Sequence, residues 1–280
     1  MTTSASPSTF HGLLAQATSR HDSRVCVGLD PEIERFPIHL RTRSDAILAF
    51  NRAIVDATAD LVCAYKPQIA HYAAVGAEEA LLETIRYIRE RAPGVPVILD
   101  SKRGDIGSTA EKYAKEAFER YGADAVTINP YLGRDSAEPF LQYADKGIVI
   151  LCRTSNAGAR EFQDLVVDGR KLYQIVAESV ARDWNSRGNC LLVVGATYPE
   201  ELADIRARTG DMTFLVPGVG AQGADVEKAV RNGRTAGGEG LVINSSRGII
   251  YAGSGEDFAV AAGHATLELR DAINAALKMN

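Results

Sequence analysis

No run in this sequence approaches the roughly 20 consecutive apolar residues that a membrane-spanning helix needs. The first residues, Met1 to Thr9, are small and polar, with neither a basic stretch nor an apolar one. The expectation is therefore a chain without a bilayer span or secretory leader, located in the cytoplasm. Cysteine is scarce: Cys26, Cys63, Cys152 and Cys190 lie far apart, form no Cys-x-x-Cys and have no neighbouring histidine pair. Such spacing argues against a structural zinc site and for buried free thiols in a reducing compartment. Positive charge is not in excess, with 31 basic against 36 acidic residues and a formal charge of −5. That disfavours binding of nucleic acid or an anionic membrane through bulk charge, and leaves room for a local cationic pocket that takes a small anion. Also missing are a Gly-x-Gly-x-x-Gly after the first apolar run, a Gly-x-Ser-x-Gly and any metal-ligand spacing. Their absence weakens a dinucleotide-binding fold, a serine hydrolase and a metalloenzyme in turn.

What the chain has is alternation. Strand-length apolar runs occur at Val25–Asp30, Leu61–Pro67, Val95–Lys102, Ala125–Pro130, Gly147–Arg153, Leu191–Ala196, Thr213–Val219 and Gly240–Ser246. Between them lie segments of helical periodicity at Asp45–Ala59, Ala77–Arg91, Thr109–Tyr121, Leu172–Ser186 and Asp225–Asn232, and Glu256–Lys278 closes the chain. Strands that are apolar throughout suit a parallel sheet covered on both faces. Eight strand–helix units in 280 residues, with no dividing linker, predict one domain folded as a single (β/α)₈ TIM barrel. A doubly wound open sheet is the rival architecture. Phe10–His21 predicts an extra helix before the first strand, placed to close the lower end of the barrel. Ser108-x-x-Glu111 reads as a capping box, and Thr197 with Pro199 and Glu200 reads as another helix start.

Barrel enzymes carry their chemistry at the carboxyl ends of the strands. The first strand ends Gly28-Leu29-Asp30, the second Tyr65-Lys66-Pro67 and the third Asp100-Ser101-Lys102-Arg103-Gly104-Asp105. Asp100 and Lys102 are two apart and so point the same way, with Lys66 one strand away, about 4.8 Å in the sheet. Charges at the end of an apolar strand are costly unless paired, and an alternating set of carboxylates and ammoniums keeps every member ionised. Rim ion pairs that only stabilise loops are the plainer alternative. The seventh strand runs into Pro217-Gly218-Val219-Gly220-Ala221-Gln222-Gly223 and the eighth into Asn244-Ser245-Ser246-Arg247-Gly248. Glycines expose backbone N–H groups and Arg247 offers a planar donor fork, a combination suited to phosphate, although tight turns alone would also explain the glycines. Thr154-Ser155-Asn156 after the fifth strand has the hydroxyls and amide to meet a heterocycle edge, and reads equally well as a solvated loop. Asn129-Pro130-Tyr131 either supports the charge cluster or caps the fourth strand. His71, near a strand end, reads as structural.

The string Asp100-Ser101-Lys102-Arg103-Gly104-Asp105-Ile106-Gly107-Ser108-Thr109 resembles the Asp-x-Lys-x-x-Asp-Ile-Gly-x-Thr signature of orotidine 5′-phosphate decarboxylases. The resemblance continues through Gly28-Leu29-Asp30, Lys66, Thr154-Ser155-Asn156, Gly195-Ala196-Thr197, Pro217–Gly223 and Arg247-Gly248, and its longer spacings are similar to the longer-chain bacterial subgroup. Two positions depart: Ser108 stands where many members have asparagine, and Ala157 where many have proline. The resemblance implies metal-free, cofactor-free decarboxylation of orotidine 5′-monophosphate to UMP, the last step of pyrimidine nucleotide synthesis. It makes Lys102 the general acid, Asp100 the neighbour of the departing carboxylate, and Lys66 a bridge from Asp100 to the ribose. Asp30 would accept from the ribose, Ser155 and Asn156 would meet the pyrimidine, and Gly220, Gln222, Arg247 and Gly248 would hold the phosphate. Asp105 and Thr109 would enter the neighbouring subunit's site, which implies a homodimer with shared active sites.

Three other readings stay open on the sequence. Mg²⁺-dependent sugar-phosphate decarboxylases of the same superfamily share Asp-x-Lys-x-x-Asp. A Schiff-base aldolase would use Lys66 or Lys102 as a nucleophile of depressed pKa. A non-catalytic nucleotide sensor would use the same scaffold without turnover.

Overall fold

A computed structural model of the chain describes residues 8–219 and 225–279. Eight parallel strands form one sheet: β1 (Val25–Leu29), β2 (Ala64–Pro67), β3 (Ile98–Arg103), β4 (Ala125–Ile128), β5 (Gly147–Arg153), β6 (Cys190–Val194), β7 (Phe214–Pro217) and β8 (Leu241–Ser245). Each pairs with the next and β8 pairs with β1. Single bridges from Tyr65 to Val97 and from Gln68 to Asp100 join β2 to β3, so the sheet closes into the expected barrel. Every strand is shorter than its apolar run, except β5, which matches it. Residues flanking the ladder turn away into loops; Pro130–Leu132, for example, forms a 3₁₀ turn whose first N–H-bearing residue is capped by Asn129 Oδ1. Of the two roles open to Asn129, this is the cap.

The outer helices are α1 (Phe10–His21), α2 (Ala46–Thr58), α3 (Glu78–Arg91), α4 (Gly107–Lys115), α5 (Arg134–Leu141), α6 (Leu172–Ser179), α7 (Pro199–Thr209), α8 (Val226–Gly233) and α9 (Phe258–Lys278). Pro199 sits at the first position of α7, where its missing N–H costs no intrahelical bond. The Ser108–Glu111 capping box does not form. The chain leaving β3 turns at Asp105, whose Oδ1 accepts from Ile106 N, so α4 begins at Gly107 and Ser108 is already inside it. α4 and α6 each run on into a π-helical turn, Glu116–Arg120 and Val180–Trp184, before reaching the next strand. A small hairpin, Val166–Val167 with Arg170–Lys171, adds two strands outside the eight expected. Its signal is Asp168-Gly169, both at positive φ, the pair that a tight hairpin turn prefers.

Alternation along the strands splits the core in two. Val25, Val27 and Leu29 face the helices, while Cys26, Ala64, Ile98, Val149, Leu191 and Val242 fill the barrel. Phe10 and Leu14 of α1 belong to the interior set, so α1 closes the barrel end opposite the strand C-termini. All four cysteines are free and buried. Burial pushes their thiols up, Cys63 and Cys190 to about 12.

The plug depends on Gly147. A Cβ there would lie 2.5 Å from Phe10 Cδ1 and 2.9 Å from the Ala125 Cβ. Gly147→Ala should destabilise the protein by about 1–3 kcal/mol through overpacking. Urea unfolding would register this as a lower midpoint at unchanged slope, and an unchanged midpoint would show that α1 yields without cost.

Candidate active site

The carboxyl ends of the strands surround a cavity of about 560 Å³. At its floor Asp100 is 6% exposed and fully engaged. Its Oδ2 accepts from Lys66 Nζ at 2.8 Å, and its Oδ1 accepts from Lys102 Nζ at 2.6 Å and from Thr127 Oγ1 at 2.9 Å. Lys66 is 4% exposed, whereas Lys102 opens toward the cavity. Burial alone would push Asp100 toward the neutral acid. The ammoniums of Lys66 and Lys102 outweigh it and hold the carboxyl well below the usual range. Burial would likewise depress Lys66, but Asp100 and Asp30 raise it above an ordinary lysine. A Schiff-base nucleophile needs the reverse shift, so the structure turns Lys66 away from aldolase chemistry.

The backbone around this cluster is irregular. The β3–β4 register slips between Leu99 and Arg103, and Lys102 adopts φ +49°, a left-handed conformation unusual for a residue with a side chain. Thr127 supports it: the N–H groups of Ser101 and Lys102 both donate to its Oγ1 at 2.9 Å. Sequence reasoning passed over Thr127. A hydroxyl at the inward position of an otherwise apolar strand, Ala-Val-Thr-Ile, was the available signal.

Across the cavity, Thr154, Ser155 and Asn156 line one wall. Thr154 is held at N–H and hydroxyl by the Gln163 side chain, and Thr154 Oγ1 donates to Asn156 Oδ1 at 2.6 Å. Beneath them Arg153 is 1% exposed, paired with Glu201 at 2.5 Å and Asp164 at 3.3 Å. Gly195 lets the loop approach, since a Cβ there would meet Ser155 at 3.0 Å. Arg247 lines the far rim and forms no ion pair among the described residues. Gly218 and Val219 line the same rim, while Gly220 and Gln222 lie outside the described residues. Tyr251, just beyond the Arg247–Ile250 turn, accepts from Glu32 N at 2.6 Å and donates to Asp30 O at 3.1 Å. The segment after β8 is thereby fastened to the segment after β1.

Asp30, Lys66, Asp100, Lys102, Ser155, Asn156 and Arg247 thus share one cavity. Asp105, Thr109 and Gly248 do not line it. Among the described residues no group of three or more His, Cys, Asp or Glu is placed to hold a metal ion. His71 lies outside the cavity, on the short helix Ile69–Ala73.

Comparison with known proteins identifies the family. Residues 23–261 match the model of the orotidine 5′-phosphate decarboxylase/HUMPS family. The chain belongs to that family. An orotidine 5′-phosphate decarboxylase of Azoarcus sp. (strain BH72) is 62% identical over 266 residues, covering 95% of this chain and 98% of that one. One from Dechloromonas aromatica (strain RCB) is 59% identical with the same coverage. Among solved structures, OMP decarboxylase from Leishmania donovani superposes with a TM-score of 0.84 at 40% identity, over 97% of this chain and all of that one. The family makes the protein a carbon–carbon lyase on a TIM barrel, a class whose active sites sit at the barrel end where the Asp100 cluster lies.

The cluster's charges are interdependent. Asp100→Asn removes the counter-charge from buried Lys66 and should lower stability by about 3 kcal/mol at neutral pH. Lys66, then held below its unfolded pKa by burial, binds fewer protons folded than unfolded, so the variant gains stability as pH rises. Urea titrations of both proteins at neutral and mildly alkaline pH should show the gap narrowing; a constant gap would mean Lys66 stays fully paired without Asp100.

Proposed function

We propose that this protein removes carbon dioxide from orotidine 5′-monophosphate to give UMP, the last step of pyrimidine nucleotide synthesis, in the cytoplasm and without a metal. The observation that carries the reading is the Asp100 carboxylate held between Lys66 and Lys102, with Arg247 at the other end of a nucleotide-sized cavity. In the reaction the bond from C6 of the pyrimidine to the carboxylate breaks and its electron pair stays on C6. Lys102 delivers a proton to C6, carbon dioxide leaves, and the Lys102 amine regains a proton from water. Such a carbanion has no evident electron sink, so the step needs the upper part of the roughly 8–23 kcal/mol that enzymes supply. Preorganised positive charge at C6 is one contribution. Phosphate binding at Arg247, Gly248, Gly220 and Gln222, used to hold the ring, is another. Asp100 faces the departing carboxylate, Lys66 and Asp30 meet the ribose, and Ser155 and Asn156 meet the pyrimidine. The metal-free reading is supported by the donor set: both oxygens of the carboxylate that a cation would seek are held by ammonium groups.

We further propose that the barrel domain works as a homodimer in which Asp105 and Thr109 complete the partner's site. Neither lines its own cavity, and the surface around them carries exposed apolar side chains: Ile106 at 59%, Tyr131 at 81% and Leu132 at 46%. A patch of that kind is what a dimer interface covers.

With EDTA-treated protein, orotidine 5′-monophosphate absorbance should fall and UMP appear; no turnover by a folded sample would move the assignment to the metal-dependent sugar-phosphate branch, and binding without turnover to a nucleotide sensor. Lys102→Ala should abolish turnover while leaving the thermal midpoint near that of the unaltered protein. Retention of most activity would remove Lys102 as the acid. Mixing inactive Lys102→Ala and Asp105→Ala chains should restore about a quarter of the native activity, because half the dimers are mixed and one of their two sites is intact. A mixture as inactive as its parts would place Asp105 in its own subunit's site.

A further inference from the structure

One polar group in the cavity is used by none of the roles above. Asn244, in β8, is 6% exposed and lines the cavity, yet its Oδ1 is buried without a hydrogen-bond partner. Its Nδ2 reaches only Ser246 Oγ, at 3.5 Å. Unpaired buried carbonyls are costly and rare in folded chains, so one on a residue that lines a binding cavity points to a partner that comes from outside the chain. β1 makes room for it. A Cβ on Gly28 would run into Ser246 Oγ and lie 3.3 Å from Asn244 Oδ1. The amide oxygen therefore sits over Gly28, which pairs in register with Lys66 and comes two residues before Asp30. Among the described residues, two buried unpartnered side-chain atoms belong to the cavity lining: Asn244 Oδ1 and Asp30 Oδ1.

The order of strands around the barrel indicates what these two oxygens face. Asp100 and Lys102 come from β3, Lys66 from β2, Asp30 from the end of β1, and Asn244 and Arg247 from β8 and its loop. A nucleotide with its reacting ring at Lys102 and its phosphate at Arg247 lays its sugar across β2, β1 and β8. Ser155, in the loop after β5, lies on the other side. The sugar's free groups are hydroxyls, which donate; the two orphaned oxygens accept.

We propose that Asn244 is a substrate-binding residue whose amide oxygen accepts a hydrogen bond from a ribose hydroxyl. The inference rests on the nucleotide reading given above. It makes Asn244 and Asp30 a pair of acceptors facing the sugar, and Gly28 the residue whose missing side chain leaves space for one of them.

The test is equilibrium binding of UMP, 2′-deoxy-UMP and 3′-deoxy-UMP to the unaltered protein and to Asn244→Leu, with thermal midpoints recorded alongside. Leucine has a similar volume, and exchanging an unpaired buried amide for it should not lower the midpoint. Asn244→Ala removes the same oxygen without adding bulk, and serves if the leucine packs badly. UMP should bind either variant about five- to tenfold more weakly. For one of the two deoxynucleotides the variants and the unaltered protein should bind alike, because the missing hydroxyl and the missing oxygen belong to one bond. Equal affinity of all proteins for UMP would overturn the assignment, and so would a penalty of the same size with all three nucleotides. Failure of the unaltered protein to bind UMP would overturn the nucleotide reading itself, and the role of Asn244 with it.

Discussion

A carboxylate that stays ionised while almost fully buried needs its charge answered from several directions at once, and Asp100 is answered from three strands. Lys66 comes from β2, Lys102 from β3 itself and Thr127 from β4. Desolvating an ion costs several kcal/mol even after the protein relaxes around it, and the buried ammonium of Lys66, backed by Lys102 and Thr127, answers that cost. The closed parallel barrel is what brings them together. Parallel strands present their carboxyl ends on one side, closure puts β2 beside β3, and the layer of apolar side chains below excludes water from the pair. The slip in the β3–β4 register and the left-handed Lys102 belong to the same arrangement, in which Lys102 meets the carboxylate of Asp100, two residues away in its own strand. Strain in the backbone is thus offset by hydrogen bonds from Thr127 and by the ion pair it makes possible.

Much of this was legible in the sequence. The strands could be read because each is apolar on both faces, and their order follows from the alternation with helices. The carboxyl-end residues could be read because acids and lysines at the end of such a strand have few structural excuses. Thr127 was harder, since one threonine in a β-branched strand is ordinary in composition and its role appears only when β3 is seen to bulge beside it. The capping box at Ser108 failed because a local pattern was judged without the turn before it, where Asp105 had already captured the first free N–H. The hairpin after β5 was missed although Asp168-Gly169 announced it, as the flanking strands are two residues long and carry no periodicity to count.

The two rims of the cavity are held differently. The wall at Thr154–Asn156 rests on a buried arginine: Arg153 is paired with Glu201 of α7 and with Asp164 beyond the loop, and Gln163 holds Thr154 at both of its polar atoms. That loop is therefore positioned by side chains on both its flanks, and a change in either would be felt at Ser155. The opposite rim is joined by Tyr251, whose hydroxyl links the backbone at Asp30 and Glu32 to the segment after Arg247.

On the proposed reading, that second link gives distant binding energy a route to the reacting carbon. A phosphate at Arg247 would pull on the same short segment that Tyr251 fastens to Asp30, and Asp30 stands beside Lys66, which holds Asp100. Each step in that series is a direct contact or a charge interaction within a few residues. On that reading, binding at one end of the nucleotide would favour a single arrangement of the charges at the other. Energy gained from remote groups accelerates a reaction only if it is realised in the geometry of the transition state. The series of contacts from the segment after Arg247 through Asp30 and Lys66 to Asp100 is a structure suited to that transfer.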